Sequence, residues 1–183
     1  MAILTRGQFA SIAQAKAGTR GLRGFVSENR IFFKATSITS IFLSHSHTDK
    51  DVIEQAKIFF ENLGISVYVD WADKTMPEST SGVTAQKIKS QIVTGNDKFI
   101  LLATDNAIAS KWCNWEVGIA DSFKLSSKKM ALLPLADNRG TWGGNEYLQI
   151  YPRIERGTVD SNEYWVWYPD GSLESISTWL NRK

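Results

Sequence analysis

The sequence predicts an α/β fold, a parallel sheet covered by helices on both faces. Three observations carry this expectation. Short apolar runs of strand length alternate with stretches of helical spacing, in the order βαβαβαβ between Ile38 and Leu135. Polar clusters stand just after the strands, at Ser44-His45-Ser46, Asp70-Trp71 and Thr104-Asp105, where open α/β sheets gather their ligands. The chain has 183 residues and is 43% hydrophobic, enough for one domain with a proper core.

Residues 1–37 read as a basic N-terminal arm, in which Arg6, Lys16, Arg20, Arg23, Arg30 and Lys34 face only Glu28. Phe9, Ile12 and Ala13 give Arg6–Ala17 a helical stripe, which Gly18, Gly21 and Gly24 break. A partly ordered arm and a self-association segment both fit this composition.

Residues 38–136 form the core. Ile38–Ser44 is the first strand and ends in Ser44-His45-Ser46-His47. Thr48 and Asp51 resemble a capping box that opens a helix through Val52, Ala56, Phe59, Phe60 and Leu63, closed by Gly64. Ile65–Val69 is the second strand, followed by a polar loop from Ala72 to Ser81 that contains Lys74 and Pro77. Ile88 and Ile92 mark a helix over Val83–Val93, ended by Gly95-Asn96. Phe99–Ala103 is the third strand, with Thr104, Asp105 and Asn106 as turn and cap residues. From Lys111 the apolar positions Trp112, Trp115, Ile119, Ala120 and Phe123 follow helical spacing. Met130–Leu135 is the fourth strand.

Residues 137–183 continue the same domain. Arg139–Gly144 is a loop carrying Trp142, and Glu146–Ile154 is a candidate fifth strand that Pro152 confines to an edge or interrupts. Tyr164–Tyr168 reads as a strand and Pro169-Asp170-Gly171 as a turn. Ser172 caps a last helix with Leu173, Ile176 and Leu180 inward.

Composition and motifs exclude several chemistries. A net charge of +2 is too mild to argue for nucleic acid. The single cysteine, Cys113, permits no internal disulfide and fits a reducing, cytoplasmic setting. No apolar run approaches the roughly 20 residues that span a bilayer. No Walker loop and no GxGxxG follows the first strand. Two histidines and one cysteine make no usual zinc site, so no metal is expected. A Ser-His-Asp hydrolase lacks its nucleophile elbow. A phosphorelay receiver would need an acidic pair where SHSH stands and a lysine where LADN stands.

One residue breaks the helical pattern with chemistry. Glu116 sits one turn after Trp112, so carboxylate and indole share a helix face. In low dielectric such a carboxylate acts strongly and its pKa is sensitive. Spacing alone leaves open whether it points into water.

IFLSHSHTDKD, GISVYVDW, FILLAT and SKWCNWEVGIA, in that order and spacing, resemble the TIR domain, the Toll/interleukin-1 receptor type of signalling module. The likeness covers about 38–136 well, and the tail, with EYLQIYP and YPDGS, is similar to stand-alone bacterial TIR proteins of the Thoeris type. It implies a flavodoxin-like sheet of about five strands with a C-terminal strand-helix extension. It also implies an enzyme of anti-phage defence that cleaves NAD at the nicotinamide–ribose bond. NAD would be consumed as substrate, with no further cofactor. The nucleotide product would reach a separate effector, and the chain would self-associate through TIR–TIR contacts. On this likeness Glu116 is the catalytic residue. Ser44, His45 and Ser46 contact substrate after the first strand, Trp71 and Lys74 open a loop over the pocket, and Trp112 walls it. Trp142 is a further candidate to stack on a substrate ring. The loop ADKTMPESTSG lacks the arginine-aspartate pattern of receptor TIR domains. The alternatives are a non-catalytic TIR adaptor and, more remotely, a nucleoside-base transferase.

Overall fold

The structure, a computed structural model, describes residues 2–18, 39–77, 80–137, 139–158 and 163–182. The strands are β1 (Leu4–Thr5), β2 (Ser40–Ser44), β3 (Ser66–Tyr68), β4 (Lys98–Ala103), β5 (Met130–Ala136), β6 (Arg153–Arg156), β7 (Tyr164–Trp167) and β8 (Leu173–Ser175). The helices are α1 (Arg6–Ala17), α2 (Lys50–Glu61), α3 (Gly82–Ser90), α4 (Asp105–Ala109), α5 (Lys111–Ala120) and α6 (Ile176–Asn181). Wide π turns extend α3 through Gln91–Gly95 and α5 through Asp121–Leu125.

All the strands join one sheet in the order β3-β2-β4-β5-β6-β7-β8, with β1 against β5. Pairing is parallel from β3 to β6 and antiparallel beyond. The chain therefore turns one way from β2 to β3 and the other way from β3 across to β4. This makes the carboxyl ends of β2 and β4 the topological switch point, where two connections diverge and leave a crevice.

Alternation along the strands sorts the core into two layers. Ile41 and Leu43 of β2, with Ile100 and Leu102 of β4, face α1, α2 and α6, where Phe9, Ile53, Phe59 and Trp179 are fully buried. Phe42 of β2, with Phe99 and Leu101 of β4, faces Ile88 of α3 and Val117 and Ala120 of α5. Burying side chains of this size contributes about 1.5–3 kcal/mol each.

Several expectations are corrected. Residues 2–18 are not an arm set apart. Leu4 and Thr5 pair with Leu135 and Ala136, Thr5 and Gln8 close a capping box, and the Phe9 ring packs tilted against Phe59 at 5.6 Å. The apolar stripe of Arg6–Ala17 found a sheet face to cover, which its basic neighbours concealed in the sequence. The rest of the expected arm, 19–37, lies outside the described residues, as does Ile38 at the start of the first strand. Thr48 and Asp51 form no capping box: Asp49 is the N-cap of α2 and sends its carboxylate elsewhere. Glu146–Ile150 winds as a 3-10 turn, and Pro152 keeps a role in the sheet only by its carbonyl, which accepts from Leu132 N at 2.8 Å. Ser175, not Ser172, caps the last helix, and Leu173 is exposed on the edge strand β8. Among the described residues no helix is long and apolar enough to cross a membrane.

Candidate active site

Ser44 has the same strand parity as Phe42, so its side chain faces the layer of α3 and α5 at the carboxyl end of β2. The α5 helix starts close by because Thr104 caps α4 and Ser110 caps α5, its hydroxyl accepting from Cys113 N. Inward along α5 lie Cys113, Glu116, Val117 and Ala120. The stripe expected from spacing is thus rotated. Trp112 and Trp115 are partly exposed, packed edge-on at 5.3 Å, and Phe123 is exposed. The buried side of the helix carries the carboxylate.

Glu116 is 5% exposed, and its Oε2 accepts the Ser44 hydroxyl at 2.5 Å. Burial pushes its carboxyl up to about 8. The Ser44 hydrogen bond opposes this, and the negative charge of Asp70 adds to it. Cys113, in the next turn back, is also buried, and its thiol is pushed up to about 11. It therefore stays protonated at neutral pH and is a poor nucleophile.

His45 is held in one tautomer. Its Nδ1 lies 2.8 Å from the Leu43 carbonyl, which only accepts, so Nδ1 carries the hydrogen and donates. Its Nε2 lies 3.5 Å from Asp70 Oδ1. That approach does not make an ion pair. Burial lowers the imidazole below its ordinary range and outweighs the Leu43 carbonyl and Asp70, which both pull the other way. The ring is neutral at neutral pH.

These groups surround a cleft of about 140 Å³ above the switch point. The structure brings Ser44, His45, Ser46, Trp112 and Glu116 together along its lining. Trp71 and Lys74 do not. Trp71 is half-exposed and borders a separate cavity of about 450 Å³ with His47, Lys50 and Ile53. Lys74 is exposed in the turn beyond Asp70–Ala72. Trp142 is not at the cleft either. Its Nε1 donates to Ala103 O at 2.8 Å and its ring packs on the core. The cleft also recruits Asp70, Thr84 and Ser110, to which the sequence reading gave no role. For Ser110 a signal was available, since a serine just before a helical run is a cap. Asp70 was visible only as a strand-end residue.

A buried carboxyl, a hydroxyl and an imidazole with no metal-binding spacing suit a substrate that brings its own positive charge. Such a charge favours the ionised Glu116, and the low-dielectric cleft strengthens the attraction.

The chain is 32% identical over 157 residues to a protein of Bacillus cereus (strain MSX-D12) named "Probable 3' cyclic ADP-D-ribose synthase ThsB'"; the match covers 82% of this chain and 79% of that protein. A protein of Cytobacillus dafuensis with the provisional name cyclic ADP-D-ribose synthase TIR2 is 31% identical over 83 residues, 44% of this chain and 22% of its own length. Residues 41–152, from β2 to the start of β6, match the TIR domain, and with the parallel sheet and the Ser44–Glu116 cleft at its switch point they establish that the chain belongs to the TIR domain family.

Proposed function

We propose that this TIR protein cleaves NAD at the nicotinamide–ribose bond and converts the ADP-ribose portion into a cyclic nucleotide that signals in Thoeris-type anti-phage defence. The observation that carries the reading is the carboxyl of Glu116, buried beside Ser44 in an open cleft. The two relatives named as cyclic ADP-ribose synthases support it.

The residues suit each requirement of the bond cleavage. Nicotinamide departs as a neutral base with the bonding electron pair, so no general acid is needed. Positive charge moves from the pyridinium ring to the ribose anomeric carbon and ring oxygen. Glu116, once ionised, stabilises that charge, an effect worth several kcal/mol in a water-poor site. The free protein holds Glu116 largely protonated near pH 7. The cationic nicotinamide ring shifts it to the charged form on binding, so the carboxylate appears when its counter-charge does. Ser44 fixes the carboxyl orientation, and Trp112 shields one side of the cleft. A TIR adaptor would gain nothing from burying a carboxylate in a cleft. Self-association through TIR–TIR contacts and a separate effector that receives the product complete the proposal.

The test is incubation of the purified protein with NAD and chromatographic detection of nicotinamide, with mass spectrometry of the nucleotide. Release by the wild-type chain and its loss in Glu116→Gln support the reading. Release that survives Glu116→Gln overturns it.

A further inference from the structure

The cleavage described above leaves a second step unassigned. When a ribose hydroxyl or water adds to the freed anomeric carbon, its proton must go somewhere. Glu116 is an unsuitable acceptor, because its charge is engaged with the cationic carbon during that step.

Two other groups of the cleft meet just after β2 and β3. Asp70 lies just after β3 and lines the cleft. Its Oδ1 accepts the Trp71 amide at 2.8 Å and stands 3.5 Å from His45 Nε2. Its Oδ2 has no hydrogen bond among the described residues. His45 Nδ1 already donates to Leu43 O, so in the neutral ring Nε2 presents a lone pair. That nitrogen is sealed from solvent and has no hydrogen-bond partner among the described residues. A buried polar atom left this way is destabilising. Here it faces a carboxylate oxygen, which also presents lone pairs. The arrangement lacks one proton, and one proton would satisfy both groups. His47 and Asp49 are the other ionisable groups whose charge bears on the ring, and they act in opposite directions.

We propose that Asp70, with His45 behind it, is the base that takes the proton of the hydroxyl adding to the ribose carbon. This inference rests on the NAD reading of the cleft. The glycosidic bond breaks with its electron pair on nicotinamide. The hydroxyl oxygen forms the new carbon–oxygen bond. Its proton passes to Asp70 and is shared with His45 Nε2, to be released to solvent as the product leaves. Asp70 is the group that touches substrate. His45, shut away from solvent, is a positioning residue that acts through Asp70.

Base exchange separates this step from cleavage. A free pyridine base that adds to the same carbon attacks through a nitrogen that carries no proton, so it needs no acceptor. The full chain is incubated with NAD and 3-acetylpyridine, and the ratio of cyclised plus hydrolysed nucleotide to 3-acetylpyridine dinucleotide is measured. In Asp70→Asn the ratio falls at least about tenfold, and Asp70→Glu restores most of it. His45→Asn keeps a donor for Leu43 O but removes Nε2, and it moves the ratio in the same direction by about threefold or more. If Asp70→Asn does not fold, the His45→Asn and Asp70→Glu pair carries the test. A ratio that stays within twofold of wild type in folded Asp70→Asn or His45→Asn overturns the assignment. A wild-type chain that neither releases nicotinamide nor exchanges base removes the NAD reading itself, and this inference with it.

Discussion

Replacing Glu116 by glutamine tests the site through stability as well as activity. The glutamine keeps the shape and still offers an oxygen to the Ser44 hydroxyl, but it has no charge to desolvate. In the folded chain the Glu116 carboxyl titrates at about 8, against an ordinary value of 4.5. Between those values the folded protein holds a proton that the unfolded chain has released. Stability from this group is therefore present at low pH and lost as pH rises through the window. At about 1.4 kcal/mol per pH unit, the loss approaches a ceiling of about 4–5 kcal/mol by pH 8. Glu116→Gln escapes that loss. It should unfold at nearly the wild-type urea concentration at pH 5 and be more stable by about 3–4 kcal/mol at pH 8. For a domain of this size that gap corresponds to about 10 °C in Tm. The same variant should release nicotinamide at least about 100-fold more slowly. An equal stability change at both pH values would show that the carboxyl is solvated or firmly paired, and the reasoning about the cleft would be refuted. So would a destabilised variant at pH 8.

Other outcomes follow from the same geometry. In wild type, kcat/KM for NAD cleavage should climb as pH rises toward about 8 and then level, since the free enzyme must lose the Glu116 proton; stopped assays from pH 5.5 to 9 check this. Ser44→Ala removes the one interaction that holds the carboxyl down, so that climb should shift to higher pH and neutral-pH activity should fall about tenfold. Asp49→Ala breaks a buried carboxylate's bonds to Thr104 and Asn106 and its contact with Arg6; urea unfolding should show a loss of about 3 kcal/mol. Trp71→Ala and Lys74→Ala alter exposed positions away from the cleft and should change stability by less than about 0.5 kcal/mol, read by the same method.

The layering of the sheet could be read directly. Short apolar strands between helical stripes, with Gly64 (φ +78°) and Gly171 (φ +86°) at turns that favour positive φ, lie close to where their residue types put them. The facing of α5 could not. Tryptophans dominate its sequence pattern, and any reading by hydrophobicity turns them inward. The chain instead buries the smaller Cys113, Val117 and Ala120 against the central strands β2 and β4 and leaves the indoles half out, next to a cleft. A buried glutamate is the kind of violation that local pattern cannot forecast, because its compensation, the Ser44 hydroxyl, is 72 residues away. Trp71 and Lys74 failed to reach the cleft for a related reason. The TIR likeness puts them on a loop over the pocket, yet Asp70 turns into a short 3-10 segment there, so Asp70 lines the cleft while Trp71 borders the neighbouring cavity. Helix α1 has the bounds that Phe9, Ile12 and Ala13 predict; what the basic composition hid is that this face packs on the sheet.

The Asp49 carboxylate has a practical consequence. It receives Thr104 at 2.5 Å and Asn106 at 2.8 Å from the segment after β4, and Arg6 reaches it at 3.2 Å from the first turn of α1. Asp49 is four residues past His45, and Thr104 begins the path to Ser110 and Glu116. The amino end of the chain is thereby tethered to both loops that flank the reactive crevice. Removing β1 and α1 would cut that tether and free both loops, so the reactive crevice depends on a segment that lies outside it in sequence.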